Sequence, residues 1–260
     1  MNGSNLPSLI YQLTKREVIG RYKGSMLGIL WSFVNPLLML SVYTLFFSVI
    51  LKIRWGEQPQ SRSEFAMLLF IGLILHGFIA ECINRAPGLV TGNVNYVKKV
   101  VFPIGILPIV SCSSALFHWF ISLLVLALAL LVLDHGIAPT FPLILVVMIP
   151  LVLYALGISW VLASLGVYLR DVSQVVGVFS QILLFVSPVF FPIANIPEQY
   201  RAVFLANPLT TIIEQARQVV IFGALPDFIA LATQAGIALV FCMLGLFFFN
   251  KTRRGFADVL

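Results

Sequence analysis

The chain has 260 residues, of which 60% are apolar and only 10% charged, with a mean hydropathy of +1.03 and a formal net charge of +6. Soluble domains carry about a quarter charged residues, so this composition excludes a soluble enzyme or binding module and places the chain in a bilayer. The basic surplus is spread over loops flanking apolar runs, with no soluble segment to carry a nucleic-acid groove, so anionic lipid headgroups are the matching electrostatic partner.

Residues 1–28 are polar and basic rather than a charged tip followed by an apolar core, so no cleavable signal peptide is expected and the N-terminus is placed in the cytosol. Leu6, Leu9, Ile10 and Leu13 share one helical face and are followed by Lys15, Arg16, Arg21 and Lys23. That is the pattern of a helix lying in the membrane interface. Two roles fit it: an anchor that orients the first span, or in addition a gate at which Arg16, Arg21 and Lys23 attract a lipid pyrophosphate from the inner leaflet.

Six apolar runs follow, at 30–51, 65–84, 108–133, 141–167, 173–192 and 228–249. At 1.5 Å rise per residue such runs cross roughly 30 Å of hydrocarbon as helices. The alternation of about ten residues that marks barrel strands does not recur. Trp31 at interface depth and Pro36 in the first turns suit the start of the first span. With the N-terminus inside, eleven of the sixteen basic residues fall on inner segments, and Lys52, Arg54, Arg62, Arg201 and Arg217 on outer ones. Both termini are therefore expected in the cytoplasm.

After the second span, Glu81 and Arg85 stand four apart in the favourable acidic-first order and predict a local ion pair. Pro87 and Gly88 break the helix. Leu89, Val90, Val94 and Val97 then form an apolar stripe beside Asn93, Asn95 and Lys98. A two-faced helix of two or three turns is either a surface connector or a segment that docks in a protein groove. The second inner turn, 168–173, carries Arg170 and Asp171, which can pair, cap helix ends or contact a partner; capping is the default.

The stretch Ser187-Pro-Val-Phe-Phe-Pro-Ile-Ala-Asn-Ile-Pro197 is apolar but too broken by proline to continue as a helix. A short helix over 198–206, a break at Asn207-Pro208 and a helix from Leu209 to Phe222 ending at Gly223 are expected next. In that last helix Leu209, Ile212, Ile213, Ala216, Val219 and Val220 read as the apolar face, with Glu214, Arg217 and Gln218 opposite. Half-span structure of this kind needs protein or an aqueous cavity around it, which argues for a gate or vestibule; an amphipathic surface loop is the alternative.

No Gly-x-x-x-x-Gly-Lys-Ser/Thr occurs, so ATP coupling would have to come from another chain. His76 and His118 read as hydrogen-bonded core residues, and Cys82, Cys112 and Cys242 as small core residues without metal spacing. No nucleophile, base and orienting group converge, so no catalytic, cofactor-binding or metal site is expected.

Five pieces in order, Arg21-Tyr-Lys-Gly-Ser-Met-Leu-Gly-Ile-Leu-Trp-Ser-Phe-Val-Asn-Pro-Leu37, Asn95-Tyr-Val-Lys-Lys-Val-Val-Phe-Pro103 with Leu107-Pro108, Arg170-Asp171-Val172, Ser187-Pro-Val-Phe-Phe-Pro192 and Asn207-Pro208, together resemble the permease subunit of polysaccharide ABC exporters. This is the ABC-2-type family that includes O-antigen, capsule and teichoic-acid exporters, and the likeness covers nearly the whole chain. It implies an all-α membrane protein forming a single ABC-2-type transmembrane domain over 1–260. Within it, an interface helix over 1–28 precedes spans one to five over 30–192, re-entrant gate helices over 193–227, a sixth span over 228–249 and a cytoplasmic tail over 250–260. It implies a homodimer in the bacterial inner membrane resting on a separate ABC ATPase dimer, with ATP and Mg held by that partner.

The segment around 88–97 resembles the family's coupling helix, so Asn93, Asn95, Tyr96, Lys98 and Lys99, with Arg170 and Asp171, are candidates for ATPase coupling. Trp31, Tyr43, Phe185, Phe190 and Phe191, with Pro188 and Pro192, are candidates for the channel or its gate, because aromatic rings accept the C–H face of any sugar. The implied cargo is an undecaprenyl-pyrophosphate-linked polysaccharide, with O antigen favoured. Capsule, teichoic-acid or drug export is the alternative within the family; an ATP-independent carrier or intramembrane transferase is the alternative outside it.

Overall fold

The computed structural model describes residues 6–46, 62–98 and 102–260. Lys99, a coupling candidate, lies outside them, as do Lys52, Arg54 and the end of the first expected span. The described residues are helical throughout their regular structure: α1 (Leu6–Tyr22), α2 (Trp31–Tyr43), α3 (Arg62–Arg85), α4 (Gly88–Thr91), α5 (Val94–Lys98), α6 (Leu107–Val132), α7 (Ile144–Tyr168), α8 (Val172–Phe185), α9 (Glu198–Ala206), α10 (Pro208–Val220), α11 (Phe228–Thr252) and α12 (Phe256–Val259). Among the described residues, five segments are long and apolar enough to cross a membrane, at Gly28–Phe46, Ser63–Arg85, Ile104–Val132, Phe141–Tyr168 and Phe228–Val259.

The expected fifth span differs. In place of a helix over 173–192, α8 has 14 residues, about 21 Å at 1.5 Å per residue, and the chain turns at Val186. Pro188 and Pro192 supply no backbone donors, and Ser187 Oγ donates to Leu183 O at 2.6 Å, closing the helix with a side-chain bond. The remaining depth is filled by a proline-broken segment.

The core is built around α3. Met67, Leu68, Leu69, Ile71, Leu75 and Ile83 of this helix are almost wholly inaccessible, because α6, α7, α8 and α10 all pack on it. Against its far half lies α10, whose Leu209, Ile212, Ile213, Ala216, Val219 and Val220 are buried as the amphipathic pattern predicts. Pro208 occupies the first helical position, and Asn207 caps it by accepting from Leu209 N at 3.0 Å.

A close backbone approach joins α7 and α11. A Cβ on Gly157 would stand 2.8 Å from Phe241 Cδ1 and 2.9 Å from Cys242 Cα, and one on Gly245 would collide with the Gly157 backbone. Small residues at a crossing let helices gain dispersion contacts in lipid, where no hydrophobic driving force exists between them.

The N-terminal helix departs from expectation. Leu9, Ile10 and Leu13 do share a face, but it packs on Phe102, Ile106 and Val110 at the start of α6. The face expected to lie on lipid is therefore partly covered by protein, with Leu9 and Ile10 half-buried and Leu6 exposed, and Lys15, Arg16 and Lys23 stay exposed.

Candidate functional site

The end of the bundle that carries α1, α4, α5 and α12 gathers most of the coupling candidates. The expected two-faced helix over 88–97 is two short helices, α4 and α5, parted at Gly92 and Asn93. Leu89, Val90 and Val97 pack into a small apolar core with Trp160, Val167, Phe249 and Phe256 from α7, α11 and α12. A Cβ on Gly166 of α7 would collide with the Pro87 backbone, so the corner at Pro87 is keyed into that helix. Polar bonds complete the block: Trp160 Nε1 donates to Gly105 O at 3.0 Å and Tyr168 Oη to Thr252 O at 2.9 Å.

Arg170 stands beside Gly88, Thr91 and Ser173 at a cleft of about 580 Å³ between this corner and the α7–α8 turn. The two turns that the sequence separates thus share one surface. Asp171 holds the N-cap position of α8, but its carboxylate makes no capping bond, so the expected capping role is not what it performs there. Arg170 and Asp171, like Asn95 and Lys98 on the edge of the coupling segment, are available to a partner. Asn93 instead turns inward and donates to Leu89 O at 2.9 Å.

The substrate-access candidates on α1 are tied to this block. Arg16 Nη2 donates to Tyr96 Oη of α5 at 3.1 Å. Arg21 Nη1 donates to Glu81 Oε1 at 2.6 Å, Arg85 Nη1 reaches the same oxygen at 3.3 Å, and Arg85 Nη2 pairs with Glu17. The predicted Glu81–Arg85 pair is thus the middle of a four-residue ladder joining α1 to α3. Beside it Tyr22 Oη lies 3.3 Å from His118 Nδ1, and burial pushes the Tyr22 phenol above its ordinary value, with Arg21 opposing and Glu81 reinforcing the shift. Lys23 is exposed and outside the ladder.

At the far end, the proline-broken segment is held by side chains that take its carbonyls. Asn207 Nδ2 donates to Val186 O at 3.2 Å and to Ser187 Oγ at 2.9 Å; Arg201 donates to Ala194 O and Ile196 O at 3.1 and 3.0 Å. Arg217, expected on the polar face of α10, is instead fully buried. Its Nε donates to Leu68 O of α3 at 3.1 Å, Nη2 to Val189 O at 3.1 Å and Nη1 to Glu214 Oε1 at 2.8 Å.

Burial lowers the guanidinium to about 10, against the support of Glu214, which leaves it charged at neutral pH. Its spacing held the clue: Ile213 four residues before and Val220 three after put Arg217 on the buried stripe. Gly72 makes the approach feasible, since a Cβ there would stand 3.1 Å from Val189 Cα and 3.2 Å from Arg217 Nη2.

Of the aromatic candidates, Tyr43 and Phe190 pack on one cluster with Phe65, Leu68 and Leu69. Phe185 is exposed, its ring 6.0 Å from Phe190, and Phe191 meets Phe204 of α9 edge-on at 5.9 Å. Pro188 and Pro192 are buried. Trp31 stands at the other end of α2 from Tyr43, about 18 Å away along the helix. The aromatics therefore form a far-end group that does not include Trp31. Among the described residues no group of three or more His, Cys, Asp or Glu is arranged to hold a metal.

Comparison with known proteins agrees with this architecture. The sequence model of a family described as ABC-2 type transporter matches residues 8–221. The chain is 28% identical to the O-antigen export system permease protein RfbA of Myxococcus xanthus, over 96% of this chain and 94% of that protein. It is 27% identical to the protein of the same description from Klebsiella pneumoniae, over 97% and 95%. The polysialic acid transport protein KpsM of Escherichia coli is 24% identical over 89% and 88%.

Proposed function

This chain belongs to the ABC-2 type transporter family, as a multi-pass transport subunit rather than an enzyme, and on that premise we propose that it is the membrane-spanning half of an ATP-driven exporter of lipid-linked polysaccharide. The observation that carries the reading is the similarity over nearly the whole chain to permeases of O-antigen export. The cargo is an undecaprenyl-pyrophosphate-linked glycan, O antigen before capsule, teichoic acid or a drug, moved across the bacterial inner membrane. Both termini face the cytoplasm, and a companion ABC ATPase supplies ATP, Mg and hydrolysis.

In this reading the block of α4, α5, α12 and the α7–α8 turn receives the ATPase. Its packing supports the role: a push on Asn95, Tyr96, Lys98 or Arg170 meets a small core continuous with α7 and α11, which moves as a unit because packed cores deform little. Lys99, outside the described residues, is the remaining coupling candidate. Through Arg16–Tyr96 and the Glu17–Arg85–Glu81–Arg21 ladder, the stroke also reaches α1. Arg16, Arg21 and Lys23 then guide the pyrophosphate, with Lys23 the least engaged by protein.

Two copies form the exporter, with α2 and α8 at their seam. The exposed side of α11 is apolar through Ile237, Leu239, Val240, Met243, Leu244 and Phe247, as lipid demands. The exposed residues of α2 and α8 include Asn35 and Gln181. Polar side chains at membrane depth are costly in hydrocarbon and fit a watered path between subunits. Tyr43, Phe185, Phe190 and Phe191, braced by Pro188 and Pro192, lie at the outer mouth of that path, and Trp31 at its inner start.

Deleting the gene in its host and assaying the sidedness of lipid-linked glycan tests the proposal. Finished polymer trapped on the cytoplasmic face, released by the intact gene only alongside an active ATPase, is the expected result. Normal surface glycan with no trapped intermediate would remove it.

A further inference from the structure

Part of the segment expected as a cytoplasmic tail is folded into the protein. Beyond α11 the chain makes a tight turn over Arg253–Gly255 and comes back as α12. Phe256 there is wholly inaccessible, and among the described residues it stands with Arg217 and Phe249 as the bulkiest of the fully buried side chains. Its ring meets Phe249 of α11 edge-on at 5.6 Å and Tyr168, at the end of α7, at 5.9 Å. The same tyrosine fixes the turn that delivers it. Tyr168 Oη donates to Thr252 O, Thr252 Oγ1 donates to Ser164 Oγ of α7 at 3.1 Å, and a Cβ on Gly255 would stand 2.8 Å from Tyr168 Oη.

What α12 backs is α5. The other half of the coupling segment, α4, packs on α7 directly, with Pro87 pressed against Gly166. α5 is supported differently: its main packing is with α4, its neighbour in the chain, and with α12, which in turn packs on α7. Val97 of α5 and Leu260 both lie against the apolar cluster that holds Phe256, Phe249 and Val167. Asn95 and Lys98 of α5 are exposed. Tyr96 adds a ring stack on Phe102 at 4.3 Å and accepts from Arg16, but those contacts lead to α1 and to the approach to α6, not to α7 or α11.

Packed interiors have low compressibility and transmit strain, so a load on the exposed residues of α5 passes to what it rests on. We propose that α12 is a strut of the transport machinery, with Phe256 the positioning residue that carries a displacement of α5 into α7 and α11. The proposal rests on the reading of this chain as an ATPase-driven exporter subunit. It deepens that reading by dividing the coupling segment into two routes to the spans: α4 acts on α7 directly, and α5 acts through a helix from the far end of the sequence. A helix that only sealed the ends of α7 and α11 would also bury Phe256, and the two roles differ in what the loss of the ring does to coupling.

The test reads two rates for the full chain with its companion ATPase, each per assembled complex: glycan reaching the surface of the gene-deleted host, and ATP hydrolysis by the complex purified into nanodiscs. Phe256→Ala is expected to lower the ratio of export to hydrolysis about fivefold, and Phe256→Leu, which refills much of the space, about twofold. The leucine variant decides the matter should the alanine variant fail to assemble. Val97→Ala loosens the α5 side of the same contact. Combined with Phe256→Leu it should lower the ratio less than the product of the two single effects, since residues that share one contact are not additive. Export and hydrolysis falling by the same factor, an unchanged ratio, or a double variant that simply multiplies the single effects would each overturn the strut and leave the export reading standing. Normal surface glycan in the gene-deleted host would overturn both.

Discussion

Toward one end of α3, Arg85 and Glu81 meet Glu17 and Arg21 where the arginines keep a third to a half of their surface open; toward the other, Arg217 has none and grips the helix through Leu68 O. Both clamps are arginine-centred and both join α3 to a segment that only long-range folding brings near. Ion pairs open to water are worth little, about 0–1 kcal/mol, and exchange partners readily. A buried guanidinium that also satisfies backbone carbonyls is costly to disturb, because each group it leaves behind is stranded. The difference predicts that the contact of α1 with α3 yields more easily than the one that ties the proline-broken segment to α3 at Val189.

Removing the buried clamp breaks this contrast most directly. Arg217→Met should destabilise the detergent-purified protein by about 3–5 kcal/mol, seen as a large fall in melting temperature, with Arg217→Lys recovering only part because one ammonium cannot reproduce the three-way geometry. A melting temperature within a degree or two of wild type would show that the two clamps are alike. Next in size is Gly72→Val, which forces Val189 and Arg217 away from α3. We expect a loss of about 1–3 kcal/mol, together with faster proteolysis within 186–197.

Breaking the exposed ladder should cost less and in a different way. Arg85→Gln is expected to lower stability by about 1 kcal/mol or less, and the difference from wild type should shrink as salt rises, since the Debye length falls from about 10 Å at 0.1 M to 3 Å at 1 M. A salt-independent loss would mean that the ladder is as desolvated as Arg217. The smallest effect belongs to Tyr96→Phe, which deletes the partner of Arg16 at an exposed site. Stability should stay within about 0.5 kcal/mol, while export falls if α1 follows α5; unchanged export would separate the two helices mechanically.

How much of this was legible in the sequence depends on the range of the interaction. The apolar runs, the Glu81–Arg85 pair, the cap at Asn207 and the break after Gly223, whose φ is +64°, are local and were readable from composition and spacing. The end of α8 was readable only in part: Pro188 signalled a break, yet the run of apolar residues continued to Pro192. Arg217 was misplaced because a charge is read as solvent-facing unless a buried partner is known, and its backbone acceptors lie 28 and 149 residues away. The apolar face of α1 was readable, but not that the start of α6 would take up part of it, around Leu13.

By itself the sequence determined that this chain is a helical membrane protein, where most of its helices begin, and that it has no P-loop motif to bind nucleotide, because hydropathy, proline and short motifs act within a few residues. The tertiary structure decided which helix is central and which stands at the edge: 78% of an 18-residue stretch within Ser63–Arg85 is buried but only 6% of one within Gly28–Phe46, though both are apolar enough to span. Lipid and protein interior are nearly equivalent solvents for an apolar side chain. What separates them is where small residues allow backbones to meet and where a buried arginine finds its carbonyls.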